Sequence, residues 1–355
     1  MNLSKLLKTD PYCIKQKQKN LIFIKYIKFL TTHHIKKCHD YKNIISSLKI
    51  KLNNINLIED FPMLPVGLFK SNNLISVKKN DIVKKLVSSG TTGNNLSKIY
   101  LDKNNAINQT KVLDIIFSKF ISKERLPMII VDKNPILAER NIFNAKSAAI
   151  YGFSIFGKNH LYLLNAKGKI DYVGLNKFLL KHGKSRFFIF GFTSMIYEQL
   201  IKKISTKEKK INFSNGVLLH GGGWKKLEKI KINNVQFKEK LFKRFNIKKV
   251  HNYYGLVEQT GSIFIESPKC GYFHTSIFSD ILIRDKNFNI LKNNEKGLIQ
   301  LISLLPTSYP GHNILTEDIG EILGTDDCKC GLGGKYFIIH GRAKEAEVRG
   351  CSDVN

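Results

Sequence analysis

Three short apolar runs, Met128-Ile129-Ile130-Val131, Phe187-Phe188-Ile189-Phe190 and Val217-Leu218-Leu219, constrain the fold of this chain more than any other feature. They lack the alternation of a half-solvated strand, so each reads as a strand buried on both faces. Each leads into a helix-like segment, and from about 82 to 250 the pattern is strand followed by helix, an α/β layer arrangement. After Tyr254 the texture changes. Strand-like stretches at 262–266, 281–284, 297–303, 319–323 and 335–340 are separated by turn residues, so the last third reads as mostly β. Residues 1–60 read as a basic helical lead-in, and the prolyl and glycyl stretch at 64–70 breaks the helix. The expected division is a lead-in at 1–60, a main domain at 61–342, α/β to about 255 and β-rich thereafter, and a short tail at 343–355.

The formal charge of +30 would ordinarily raise nucleic acid or an anionic membrane as partner. Only seven of the 58 basic residues are Arg, however, the side chain that readers of phosphates and base edges favour. The lysines are spread along the chain among abundant Asn and Ile, the pattern of codon bias acting on a surface, and nucleic-acid binding is set aside as the main function. The apolar stretch at 21–30 is interrupted by Lys25 and Lys28, no cleavage site follows it, and nothing approaches the length of a membrane span. Six cysteines in 355 residues do not form a dense framework. A reducing, cytoplasmic setting is expected.

Hydroxyls and glycines concentrate at Val87-Ser88-Ser89-Gly90-Thr91-Thr92-Gly93, directly after Ile82-Val83 and Leu86-Val87. A strand running into such a loop can turn backbone N–H groups and hydroxyls onto phosphate oxygens, although an ordinary polar turn has the same composition. It is not a Walker loop, because Asn94 and Asn95 stand where Lys and Ser or Thr would be needed. Downstream, His220-Gly221-Gly222-Gly223-Trp224 follows an apolar strand at the end where α/β sheets place ligands, and bare glycines let a flat ring lie on backbone. Tyr254-Gly255 with Glu258 offers an aromatic to stack on a base and a carboxylate for magnesium. Asp318 is suited to ribose hydroxyls, and Arg342, after Gly341, to a phosphate or ribose oxygen.

In this order the stretches form the motif series of the adenylate-forming enzymes, ligases that make acyl-AMP. Within that superfamily the chain resembles the long-chain-fatty-acid acyl-protein synthetases of bacterial luminescence, through 190–193, 274–276, 308–312 and 349–353. The resemblance implies the N-terminal domain of the adenylate-forming fold, without the full carboxyl-terminal lid domain of most relatives. It implies that Ser88, Ser89, Gly90, Thr91, Thr92 and Gly93 grip the phosphates of ATP, and that Gly221, Gly222, Gly223 and Tyr254 bracket adenine. Glu258 would reach magnesium, and Asp318 and Arg342 would hold the ribose and its neighbouring phosphate. The family's usual lysine after the phosphate loop is missing; Lys98 lies near at a different spacing, and its role stays open.

The tail carries Arg349-Gly350-Cys351, a thiol beside a flexible residue and a cation that favours the thiolate. The resemblance implies that Cys351 takes the acyl group and passes it to a partner fatty-acid reductase within a hetero-oligomeric complex. The competing expectation is a related ligase that loads another carboxylate onto CoA or a carrier in polysaccharide or secondary-metabolite synthesis. Phe188, Phe190, Phe192 and Ile196 would suit an acyl chain, as they would any core. Finally, Cys270, His274, Cys328 and Cys330 supply three thiols and an imidazole, the donor set of a closed structural zinc site, against the alternative of two unrelated turns. Related phenylacetate-type ligases are similar in carrying a Cys/His and Cys-x-Cys pairing. Cys13 and Cys38 have no such neighbours.

Overall fold

Fully apolar runs become strands with both faces covered, and alternating ones become strands with one face in water. A computed structural model describes residues 3–88, 96–134, 145–204, 211–223 and 232–343. Along the chain the strands are β1 (Leu64–Pro65), β2 (Ile82–Val87), β3 (Lys98–Asp102), β4 (Leu126–Lys133), β5 (Gly157–Leu164), β6 (Phe187–Phe192), β7 (Gly216–Gly221), β8 (Lys249–Tyr254), β9 (Phe264–Ile265), β10 (Phe273–His274), β11 (Ser279–Arg284), β12 (Gly297–Ser303), β13 (Asn313–Thr325) and β14 (Lys335–Arg342). The longer helices are α1 (Gln16–Lys37), α2 (Lys103–Phe120), α3 (Ala145–Ser154), α4 (Tyr172–His182) and α5 (Asn234–Phe245). The described residues divide into two units, one drawn from 3–88, 96–116 and 255–343, the other from 117–254.

The second unit is built on the parallel sheet β5-β4-β6-β7-β8. The three apolar runs lie in β4, β6 and β7, with every residue of β6 and β7 buried. Consecutive side chains of β6 part to opposite faces. Phe187 and Ile189 join a cluster with Leu175 of α4, Leu200, and Phe237 and Leu241 of α5. Phe188 and Phe190 meet Phe117 and Phe153, at ring-centroid distances of 5.1 and 4.7 Å. Local signals set the helix ends. Asp171 caps α4 by accepting from the Gly174 N–H at 2.9 Å, and Asn233 and Gln236 cap α5 reciprocally, after which Asn246 stops it in the left-handed region.

The first unit holds the antiparallel sheet β10-β14-β13-β12-β11, with β1 parallel to β13. It also corrects the expectation of strand and helix in strict succession from residue 82. Strand β2 turns back into β3 as an antiparallel pair. Lys84 and Lys85 interrupt its apolar residues and only its last two positions are buried, so it pairs as a hairpin arm instead of entering a covered parallel sheet. Helix α1 buries Phe23, Ile27 and Leu30 in this unit. Its Lys19 ammonium lies 3.5 Å from Asp280 of β11, which Lys335 of β14 approaches to 3.4 Å. Among the described residues no helix is long and apolar enough to cross a membrane.

Candidate functional site

In the first unit β2 and β3, which precede and follow the expected phosphate loop in the sequence, are the arms of a hairpin. Ser88 is the loop's described residue, while Ser89, Gly90, Thr91, Thr92 and Gly93 lie outside the described residues. The Ser88 N–H donates to the Ser97 carbonyl, and the Ser97 N–H donates to the Ser88 hydroxyl, each at 3.0 Å. These two bonds close the neck of the hairpin. Lys98 opens β3 as an exposed residue paired with Val87.

The Ser97 side chain favours the charged form of Glu258. That glutamate occupies a short 3-10 turn, Val257–Gln259, and is 5% exposed. Burial pushes its carboxyl above the usual range, opposed by the Ser97 side chain and by the charges of Arg342 and Lys70. A buried carboxylate oxygen is a hard donor of the kind magnesium shares with substrate phosphates. Gly255 precedes the turn and packs close to Ile263, where a Cβ would stand 3.2 Å from its Cγ2.

Asp318 and Arg342 are register partners on β13 and β14. The Arg342 Nε lies 3.6 Å from Asp318 Oδ1 and its Nη1 lies 3.7 Å from Glu317 Oε2. Gly341 takes a φ of +120° where the pairing slips by one residue, a conformation that L side chains rarely adopt. The Thr316 hydroxyl donates to the Ile299 carbonyl at 2.8 Å and accepts from the Asp318 N–H at 3.1 Å, which fixes the backbone from which Asp318 projects.

In the second unit, Phe192, Gly221 and Tyr253 lie side by side at the carboxyl ends of β6, β7 and β8. The Tyr253 ring lies so close to Gly221 that a Cβ there would collide with it, and Gly222 follows at a φ of +85°. The Thr193 hydroxyl stands 2.8 Å from His220 Nδ1, 3.2 Å from the Gly221 carbonyl and 3.3 Å from that of Gly222. Burial holds His220 down at about 3, so its ring is neutral. Tyr254 ends β8 on the opposite side of the strand from Tyr253. Phe188, Phe190, Phe192 and Ile196 are packed at 0–1% exposure against side chains of their own unit.

Cys270, His274, Cys328 and Cys330 come together in the first unit, their ligand atoms all within 4.8 Å of one another. The β10–β14 pairing aligns His274 with Tyr336, so the turn before β10 meets the turn that leads into β14. His274 Nε2 is 3.3 Å from both Cys270 Sγ and Cys330 Sγ. Burial lowers His274 to about 4, which leaves a neutral imidazole, and the thiols are free. Three sulfurs and one nitrogen at this spacing fit a closed tetrahedral zinc site. Cys351 lies outside the described residues.

The sequence alone had not singled out Ser97, Thr193 or Tyr253. Thr193 falls within a stretch that carried the family resemblance, and Tyr253 is one strand position from the tyrosine chosen. Nothing in the composition around Ser97 marks it.

A family model described as acyl-protein synthetase, LuxE, matches residues 3–355. A long-chain-fatty-acid–luciferin-component ligase of Photorhabdus luminescens is 30% identical over 88 residues, which cover 25% of this chain and 75% of that protein. A protein of the same name from Aliivibrio fischeri is 20% identical over 299 residues, covering 81% of this chain and 76% of its own. Among solved structures, an open conformation of 2-hydroxyisobutyryl-CoA ligase with 2-HIB-AMP and CoA matches at a TM-score of 0.72 and 10% identity, over 95% of this chain and 78% of that one. The same enzyme in its thioesterification state gives 0.70 and 11%, over 93% and 69%. At such identity the likeness is one of fold, that of the adenylate-forming ligases.

Proposed function

The chain belongs to the acyl-protein synthetase (LuxE) family, and from that premise we propose that it activates a long-chain fatty acid and delivers it through its own Cys351 to an acyl-accepting reductase. Family and fold carry the coarser activity directly: the protein is a ligase that activates an acyl group with ATP. In the proposed first step a carboxylate oxygen of the acid attacks the α-phosphorus of ATP. The bond to the bridging oxygen breaks, and pyrophosphate leaves with that electron pair. In the second step the Cys351 thiolate attacks the acyl carbon, a thioester forms and AMP leaves.

Positioning and charge neutralisation are the protein's contribution to the first step. Ser88, Ser89, Gly90, Thr91, Thr92 and Gly93 hold phosphate oxygens, and Gly221, Gly222, Gly223 and Tyr254 take the adenine. Asp318 accepts from the ribose hydroxyls and Arg342 adds its cation beside them. Glu258 would hold magnesium, which when bound neutralises the phosphates. The four-residue Cys/His cluster would hold a structural zinc ion. The observation that carries this reading is the buried Glu258 carboxyl, whose charged form is favoured by the same Ser97 that bonds to Ser88 at the neck of the hairpin. Free thiols agree with a reducing cytoplasm.

Radiolabelled fatty acid and ATP test the proposal. Label should stay on the protein through denaturation, be released by hydroxylamine, and disappear in Cys351→Ser while acid-dependent pyrophosphate release persists. Label that appears only on added CoA, with none on the protein, would establish the competing ligase instead.

A further inference from the structure

The stretch Ser308-Tyr309-Pro310-Gly311-His312 has no part in the chemistry above, yet side chains of two helices and of its own residues bond it on both sides. On one side it rests on α2. The Asn105 side-chain oxygen, fully buried, accepts from the Thr307 N–H at 2.6 Å and the Ser308 N–H at 3.2 Å. The Ser308 hydroxyl donates to the Tyr100 carbonyl at 2.8 Å.

On the other side α1 grips it. His34 Nε2 donates to the Pro306 carbonyl at 3.1 Å, and His33 Nε2 donates to the Thr307 carbonyl at 3.0 Å. A neutral His34 then has Nδ1 free to accept from the Ser76 hydroxyl, 2.7 Å away. His312 lies 3.0 Å from the Thr31 hydroxyl and stacks on His34 with centroids 5.0 Å apart. Burial keeps both rings neutral, so the stack carries no charge repulsion near neutral pH.

The tip of the loop touches the Glu258 turn. A Cβ added to Gly311 would lie 2.5 Å from the Glu258 carbonyl oxygen and would collide with the Tyr309 ring. The Gly311 N–H is turned back onto the Tyr309 carbonyl at 2.8 Å, which presents the bare Cα to Glu258. No positive φ demands a glycine here; the close approach does.

We propose that the 306–312 loop, clamped by Asn105 and by the His34–His312 stack, is a positioning element that sets the place of Glu258 through Gly311. The inference rests on the reading of Glu258 as a magnesium ligand. Its residues act through Glu258.

The test uses Gly311→Ala, Asn105→Ala and Asn105→Asp in the full chain. Manganese is the metal probe, its binding followed by electron paramagnetic resonance at saturating ATP, and pyrophosphate release is followed against magnesium. Gly311→Ala and Asn105→Ala are expected to weaken manganese binding and raise half-saturating magnesium by about 5-fold or more, as for a misplaced ligand. Asn105→Asp keeps the acceptor oxygen and should restore both. Circular dichroism and thermal unfolding identify a variant that fails to fold, in which case Thr31→Val, which removes only the hydroxyl facing His312, takes its place. Folded variants with lowered melting temperature but wild-type metal dependence would overturn the proposal. Glu258→Gln tests the underlying reading separately. Unchanged metal binding there removes the ligand assignment, whereas lost binding there with an unmoved, folded Gly311→Ala overturns the positioning role alone.

Discussion

Arg342 and Asp318 face one another across β13 and β14, Nε to Oδ1 at 3.6 Å, although they stand 24 positions apart in the chain. The pairing means that two groups assigned to one nucleotide hold each other in place before it binds. Losing a hydrogen bond to a charged group costs about 1.5–3 kcal/mol, so Asp318→Ala should lower kcat/KM for ATP by roughly 10- to 150-fold. Arg342→Lys should not recover activity, since a point charge does not replace a planar fork. Initial rates of pyrophosphate release against ATP measure both, and wild-type kinetics in Asp318→Ala would remove the ribose assignment.

Glu258 gives a pH signature. It must be ionised to hold a cation, and burial raises its pKa, so activity should fall on acidification at a higher pH than an ordinary carboxylate would give. Ser97→Ala removes a polar group that favours the charged form and should move this acid limb further up. The sign for stability is the reverse of the usual carboxylate case. A folded pKa above the unfolded one means that the unfolded chain ionises more readily, so ionisation disfavours folding once the pH exceeds the unfolded value. Glu258→Gln should therefore raise the melting temperature at pH 7, by an amount on the order of a few degrees, while it removes activity. A lower melting temperature would contradict the desolvation argument.

The Cys270, His274, Cys328 and Cys330 cluster predicts one zinc ion per chain. Elemental analysis of the purified protein should find it, and Cys330→Ser should lose it. Chelation at neutral pH should lower the melting temperature, because metal binding free energy is also folding free energy. Acidification should release the metal as His274 and the thiolates take up protons. Purified protein with no zinc, and no response to added zinc, would leave two neighbouring turns and nothing more.

Asp280 is fully buried between Lys19 and Lys335 and also accepts from the Gln16 side chain at 2.6 Å. Removing the shared carboxylate leaves two ammonium groups without their counter-charge. Asp280→Ala should cost about 3–5 kcal/mol, the range for breaking a buried pair. Lys19→Met should cost much less. Desolvation already lowers the Lys19 pKa to about 8, and Lys335 still neutralises Asp280. Urea unfolding of the two variants gives the comparison, and equal losses would show that Lys19 matters chiefly through packing.

Burial periodicity was legible wherever the residues themselves carried it. The runs in β4, β6 and β7 could be read because no polar residue interrupts them, and the strands after Tyr254 because turn residues bracket them. The β2–β3 hairpin was misread, since apolar pairs on either side of Lys84 and Lys85 resemble a strand entering a covered sheet. Lys19 looked like any other lysine of a basic helix, and His34 like one more polar residue of the lead-in. Their burial depends on what packs over them, which no local pattern records.

By itself the sequence determined which chemistry the chain could carry and in what order: a hydroxyl and glycine loop, a glycine cluster, Tyr254, Glu258, Asp318 and Arg342, and two groups of thiols. Those are properties of residue type and spacing along one strand of covalent bonds. Only the tertiary structure decided that Asp318 meets Arg342, that Cys270 and His274 meet Cys328 and Cys330, and that Gly311 presses on the turn of Glu258. Such meetings are set by strand register and by the packing of segments far apart in the chain. Many weak contacts fix them together, and no single residue announces them.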